Sequence, residues 1–251
     1  MDIKMIVVDL DGTLLRNDKT MSKYTINALN QCREKGILLA FATARGGDAQ
    51  VPVELFDGFI RTNGAVAFAY DKKVYEAPIP IKCARRILTA AENADIQIVA
   101  EASGKHYAKF DLKAVVPWLS SEIIDFEAVD FEPHKIYAIS ATKEQLKVLQ
   151  DSLSDKLYMY ISNDGVPMIM NKNAMKSKAV EALAMHWNIK PAEIIAFGDD
   201  ANDIEMLEYC GVGVAMGNAI DEVKAVADFV CDTNENDGLA KWLVGANIVR
   251  L

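Results

Sequence analysis

The stretch Met5-Ile6-Val7-Val8-Asp9-Leu10-Asp11-Gly12-Thr13 decides the fold. It opens on four apolar residues, three of them β-branched. A short run of this kind suits a strand buried on both faces of a parallel sheet. The run stops at carboxylates. In open α/β sheets, ligands bind beyond the carboxyl ends of the strands, so Asp9 and Asp11 stand where a site is expected. Gly12 permits a sharp turn and a close backbone approach to an anion. Asp-x-Asp-Gly by itself is also an ordinary solvated turn. The weight lies in the strand followed directly by this pattern.

Working outward, Ser22 to Glu34 reads as a helix, with Ser22 as N-cap and Gly36 as stop. Ile37 to Ala42 is a second buried strand ending at Thr43, and Gly58 to Arg61 a third ending at Thr62-Asn63-Gly64. The C-terminal part repeats the style. Ser177 to Trp187 is a helix, Glu193 to Phe197 a buried strand ending at Gly198-Asp199-Asp200, and Asp203 to Tyr209 a helix. Gly211 to Ala215 is a further strand and Asp221 to Ala227 a further helix. This alternation predicts an α/β class with a parallel sheet flanked by helices.

The middle reads differently. A helix at Ile81 to Ala94 precedes short strand-like runs at Ile96–Ala100, Lys105–Ala108, Lys135–Ser140, Met159–Ser162 and Val166–Met170, with a helix at Lys143 to Ser152. That is α+β patterning. It predicts a core built from residues 1–79 and 175–251 and an inserted α+β domain at 80–174, with hinges near Ala77–Pro80 and Asn171–Met175.

Composition bounds the function. The 251 residues are 51% hydrophobic and 25% charged, as in an ordinary globular chain. Acidic residues outnumber basic ones 36 to 27, a formal charge of -9. That argues against nucleic-acid or anionic-membrane partners, which need an excess of Lys and Arg. Cys32, Cys83, Cys210 and Cys231 stand singly, as expected of buried small hydrophobes in a reducing cytoplasm. The N-terminal stretch does not read as a signal peptide, and no apolar run approaches the roughly 20 residues that cross a bilayer. The expected location is the cytoplasm.

The chemistry-bearing residues converge on strand ends. If the strands ending at Val8 and Phe197 are neighbours, then Asp9, Asp11, Asp199, Asp200 and Asp203 meet in one place. So much like charge requires a cation, or some acids must stay protonated. All-oxygen ligands favour Mg²⁺. A carboxylate beside a metal is a reasonable nucleophile toward phosphorus. A second carboxyl can protonate the leaving oxygen and later deprotonate water. Thr43, free backbone N–H groups beside it, and Asn202 are candidates to hold phosphoryl oxygens. Taken by itself, a Thr at a strand end is more often a helix N-cap. Lys176, opening its helix, would neutralise the transferring group, although Lys172 and Lys178 compete for that role.

DLDGT, ATAR, a Lys opening the next core helix, and GDDAND occur in this order. Together they resemble the four signature motifs of the haloacid dehalogenase (HAD) superfamily of phosphohydrolases, and their spread resembles the Cof-type subfamily. The resemblance runs through TNGA at Thr62–Ala65 to MGNA at Met216–Ala219 and NDG at Asn236–Gly238. It implies a Rossmann-like core with helices on both faces and an inserted cap. Position by position, it implies Asp9 as nucleophile and Mg²⁺ ligand. Asp11 becomes the general acid/base, its backbone carbonyl a second ligand. Thr43, Lys176 and Asn202 fall on the phosphate-binding positions, Asp199 on the metal-binding acid and Asp203 on its support. The N–H groups of Leu10 and Ala44 complete the oxyanion cradle. The stretch before Lys176, Met168 to Met175, departs from the family's usual acidic, proline and glycine residues, and Ser177 replaces a usual glycine.

The expected activity is a Mg²⁺-dependent phosphatase acting on small phosphorylated metabolites, sugar phosphates or phosphorylated cofactors, through an aspartyl phosphate. A phosphomutase or phosphotransferase on the same fold and a receiver-type phospho-acceptor domain are the alternatives. The middle segment offers His106, Tyr107, Lys109, Trp118 and His134 as leaving-group contacts, each also an ordinary fold or surface residue. His186 beside Trp187 and the ten methionines read as packing.

Overall fold

The computed structural model describes residues 2–47, 51–162 and 165–250. Along the first flank run β1 (Met5–Asp9), α1 (Lys23–Glu34), β2 (Leu38–Ala42), β3 (Gly58–Arg61), β4 (Val66–Ala69) and β5 (Lys72–Glu76). The middle carries α2 (Ile81–Asn93), β6 (Ile98–Ala102), β7 (Lys105–Ala108), β8 (Ser121–Ile123), β9 (Lys135–Ala138), α3 (Lys143–Asp151), β10 (Leu157–Ile161) and β11 (Pro167–Asn171). The second flank adds α4 (Lys176–Trp187), β12 (Ile194–Gly198), α5 (Ile204–Tyr209), β13 (Val212–Ala215), α6 (Asp221–Val226), β14 (Phe229–Val230) and α7 (Gly238–Gly245).

Two compact units result. One comprises Met1–Arg45, Ala49–Glu76 and Met175–Leu251, the other Gly46–Asp48 and Ala77–Ala174. The first unit is an α/β layer structure on an eight-stranded sheet of order β14-β13-β12-β1-β2-β3-β4-β5. Strands β14 to β3 are parallel, and β4 and β5 are added antiparallel. β1 lies between β12 and β2, and all five of its residues are buried, which accounts for its unbroken apolar run. Helix α1 begins where Ser22 accepts a hydrogen bond from the Thr25 N–H and ends before Gly36 at φ 79°.

The sheet register positions the site. Val8 faces Phe197 across the β1–β12 pair, so Asp9 stands level with Gly198, one residue short of Asp199. On the other side Asp9 faces Ala42, directly before Thr43. Parallel pairing thus brings three strand ends, and the polar residues that follow them, to one edge of the sheet.

The second unit holds a six-stranded sheet of order β10-β11-β9-β6-β7-β8, antiparallel except between β7 and β8. Ile87, Leu88, Ile98, Ile136 and Leu149 form its main core with α2 and α3. The strand expected at Ile96–Ala100 lies at Ile98–Ala102 instead. Asp95 takes a left-handed turn at φ 53°, which delays the strand, and Glu101 extends it because Lys135 neutralises its buried carboxylate at 2.8 Å. Among the described residues no helix is long and apolar enough to cross a membrane. The four cysteines are unpaired.

Candidate active site

Asp9 ends β1 with 6% of its surface exposed. Its Oδ1 accepts a hydrogen bond from Lys176 Nζ at 2.6 Å. Lys176, the first residue of α4 and 2% exposed, also donates to Asp203 Oδ1 at 2.7 Å. Asp203 is wholly buried, and its Oδ2 accepts from the backbone N–H groups of Asp199 (3.0 Å) and Asp200 (3.2 Å). Those bonds fix the loop after β12. They require the Asp203 side chain to lie against Gly198, where an added Cβ would overlap it. Asp199 Oδ1 accepts from the hydroxyl of buried Thr13 at 2.6 Å. Asp199 also lies against Gly12, whose φ of +85° and missing side chain make the approach possible.

Carboxylate oxygens of Asp9, Asp199 and Asp203 all lie within 4.8 Å of one another. Three carboxylates thus share one ammonium. Burial pushes the Asp9 carboxyl well above its ordinary value; Lys176 opposes this and the charges of Asp203 and Asp199 add to it. Burial likewise pushes Asp199 up to about 6, against the Thr13 hydrogen bond and with the Asp203 charge. Burial disfavours the Lys176 ammonium, but Asp203 and Asp9 outweigh it and hold the lysine protonated. A divalent cation fits this donor set. Asp203 already accepts from three donors on its two oxygens, whereas the Asp9 oxygen not facing Lys176 accepts no hydrogen bond among the described residues.

The carboxylate of Asp11 is not part of this group. Arg45 donates to it through Nε (2.7 Å) and Nη2 (2.5 Å), and Lys19 through Nζ (2.7 Å). Partial burial raises its carboxyl, but the bonds from Lys19 and Arg45 prevail and hold it below the usual range. Thr43 is buried, and its Oγ1 accepts from the Arg45 N–H at 3.2 Å. Ala44 is half-buried between them, and Leu10 is buried in the core of the unit. Asn202 turns its amide to Asn63 Oδ1 at 2.8 Å.

Residues 6–243 match the model of the haloacid dehalogenase-like hydrolases. The chain belongs to that family. Among its relatives is the 5-amino-6-(5-phospho-D-ribitylamino)uracil phosphatase YitU of Bacillus subtilis, 28% identical over 95% of this chain and 96% of the relative. A phosphatase of the same superfamily from Bacteroides thetaiotaomicron superposes with a TM-score of 0.85 at 28% identity, covering 98% of this chain and 96% of that one. A sugar phosphatase of HAD subclass IIB superposes with a TM-score of 0.84 at 26% identity, covering 98% and 100%. This HAD-like hydrolase is a phosphatase.

Several contacts of the phosphatase were not legible in its sequence. Thr13, Lys19, Arg45 and Asn63 partner site residues up to 186 positions away. The outlying motifs gain local roles. Asn218 of MGNA donates to the Gly12 carbonyl at 2.7 Å. Asp237 of NDG accepts from Arg16 Nη2 at 3.1 Å and from Thr25 at 3.2 Å. In the second unit, His106 Nδ1 meets the Tyr137 hydroxyl at 3.1 Å, and His134 Nδ1 accepts from the Ser103 N–H at 3.3 Å. Tyr107 packs on Phe131 at 4.5 Å between centroids. Lys109 pairs with Glu92 and with Asp125, and Trp118 is 82% exposed.

Proposed function

We propose that the chain hydrolyses small phosphorylated metabolites in two steps through a phosphoryl group carried on Asp9. The observation that carries this reading is the state of Asp9: buried, fixed at a strand tip, one oxygen held by Lys176 and the other unengaged. A carboxylate oxygen of Asp9 attacks phosphorus, the phosphorus–oxygen bond to the leaving group breaks, and an acyl phosphate forms. Lys176 offsets the repulsion between two anions. Asp203 holds Lys176 in place from behind. Asp11 gives a proton to the departing alkoxide and then takes one from the water that cleaves the acyl phosphate. The N–H groups of Leu10 and Ala44, the Thr43 hydroxyl and the Asn202 amide bind phosphoryl oxygens, the last after leaving Asn63.

We assign the cation to Mg²⁺, held by Asp9, Asp199 and the backbone carbonyl of Asp11. When bound, it supplies positive charge that counters the excess of carboxylate over ammonium and draws in the phosphate. Thr13 orients Asp199 for that task.

The relatives point to the substrate class. The relatives' names describe a phosphorylated ribityl compound and a sugar phosphate, which share a phosphate on a polyhydroxylated chain. Phosphate release from a panel of phosphorylated sugars, polyols and cofactors, with Mg²⁺ or with a chelator, tests the reading. Turnover should need the cation, and Asp9→Asn should abolish it while preserving the circular dichroism of the fold. Rapid acid quench should trap phosphate on the wild-type protein. Metal-dependent turnover by Asp9→Asn would refute the assignment.

A further inference from the structure

Arg45 follows the Thr43-Ala44 segment after β2, and nothing in the reaction above employs it. Its guanidinium closes on Asp11 by two atoms, Nε on Oδ2 at 2.7 Å and Nη2 on Oδ1 at 2.5 Å. This is the two-pronged grip that a planar guanidinium offers and an ammonium does not. Lys19 adds a third bond, to Oδ1 at 2.7 Å. The Lys19 backbone sits in the left-handed region, at φ 65°, a conformation that costs a residue with a side chain. The turn that enforces it is tied by the Lys19 N–H to the Arg16 carbonyl (2.9 Å) and by the Thr20 N–H to Asp18 Oδ1 (3.0 Å). The chain therefore holds an unfavourable backbone in a turn that delivers an ammonium to Asp11.

We propose that Arg45 is a positioning residue for the proton-transfer step, with Lys19 as a second tie. The proposal rests on the reading of Asp11 as the group that protonates the leaving oxygen. An ionised carboxylate has about four acceptor directions, and these bonds fill three, two on Oδ1 and one on Oδ2. Oδ2 keeps the open direction and is the atom that carries the transferred proton. As the phosphorus–oxygen bond breaks, that proton passes from Oδ2 to the leaving oxygen. A neutral alcohol departs, and the negative charge left on Asp11 is received by a guanidinium and an ammonium already in place. Without the two-pronged grip the carboxyl, on a side chain 37% exposed, rotates away from the leaving group.

Leaving groups separate this role from a structural one. Phenyl phosphate and 4-nitrophenyl phosphate have nearly the same shape, but phenolate needs protonation far more than nitrophenolate. In the full-length chain with Mg²⁺, Arg45→Met should lower kcat/KM for phenyl phosphate roughly tenfold more than for 4-nitrophenyl phosphate, within the range that acid catalysis supplies. Arg45→Lys keeps the charge and loses the grip, so the discrimination should persist. Lys19→Met, at a half-exposed side chain, should show the same trend more weakly. Equal losses on the two esters, or full recovery in Arg45→Lys, would overturn the proposal. Asp11→Asn distinguishes the underlying reading: it should discriminate by itself, and adding Arg45→Met should change the ratio no further. If Asp11→Asn does not discriminate, the reading of Asp11 falls. If it does and Arg45→Met does not, only the positioning role falls.

Discussion

Replacing Lys176 by methionine removes one charge from a close-set group of four, three of them buried, and keeps most of the side-chain volume. The lysine is 1% exposed at its side chain and bonds Asp9 at 2.6 Å and Asp203 at 2.7 Å. Removing a whole buried ion pair for apolar groups is often neutral, but removing one partner strands the other and costs about 3–5 kcal/mol. Here two carboxylates are stranded, with Asp199 as a third nearby. For a chain of this size about 2–4 °C of melting temperature is lost per kcal/mol, so a fall of roughly 10 °C is expected at neutral pH in chelator. The deficit should depend on pH. Lys176 is the main group drawing the Asp9 carboxyl down, so without it the carboxyl, already raised by burial, rises further, and Asp9 binds a proton still more readily in the folded state than in the unfolded one. Stability then increases as pH falls, and the deficit narrows toward pH ~5. Thermal unfolding followed by circular dichroism from mildly acid to mildly alkaline solution measures both effects. Adding Asp9→Asn to Lys176→Met should recover part of the loss, because one stranded charge is gone. A melting temperature within about 2 °C of wild type at neutral pH, or a deficit that does not change with pH, would refute the reasoning.

Two further outcomes are expected. Gly12→Ala places a Cβ against Asp199 Oδ2 at a residue with φ +85°. It should cost about 1–2 kcal/mol from the backbone alone, and isothermal titration should show weaker Mg²⁺ binding because Asp199 is displaced. In chelator, Asp199 at about 6 against an ordinary 3.8 contributes stability that is full below the ordinary value and is lost as pH rises through about 6. Saturating Mg²⁺ favours the ionised carboxylate, so the melting temperature gained on adding Mg²⁺ should be larger at pH ~7 than at pH ~5.

Strands buried on both faces were the most legible elements. Met5–Asp9 and Ile194–Gly198 carry continuous apolar runs because helices cover the sheet. The hairpin β4–β5 gave no comparable signal. Its turn is made by Tyr70 at φ 53°, a residue that does not announce a left-handed turn, and β5 is a half-exposed edge beginning Lys72-Lys73. Within the second unit, Glu101 hid the end of its own strand: a charged residue reads as a boundary until its partner, 34 positions away at Lys135, is known. The same limit applies at the site. Aspartates at strand ends stand out by their placement. What Arg45 or Thr13 bonds to depends on which loops the sheet order brings together, and neighbouring sequence does not contain that information.

The placement of the acids explains why the site is built on the central strands. Three carboxylates and one ammonium packed this closely oppose folding, since burial raises both Asp9 and Asp199. Only a rigid surround can hold them together. β1 supplies it, hydrogen-bonded on both sides and buried along its whole length. Asp203 adds to it by using both oxygens on the chain itself, Oδ1 on Lys176 and Oδ2 on two backbone N–H groups. Asp203 is therefore the acid that holds the others in register, and it has little capacity left for a ligand. The excess negative charge remains on Asp9, the last residue of β1, and Asp199, directly after the end of β12. The electrostatic strain is concentrated at the two residues where a cation would relieve it, so the feature that weakens the free protein is the one a bound positive ion would offset.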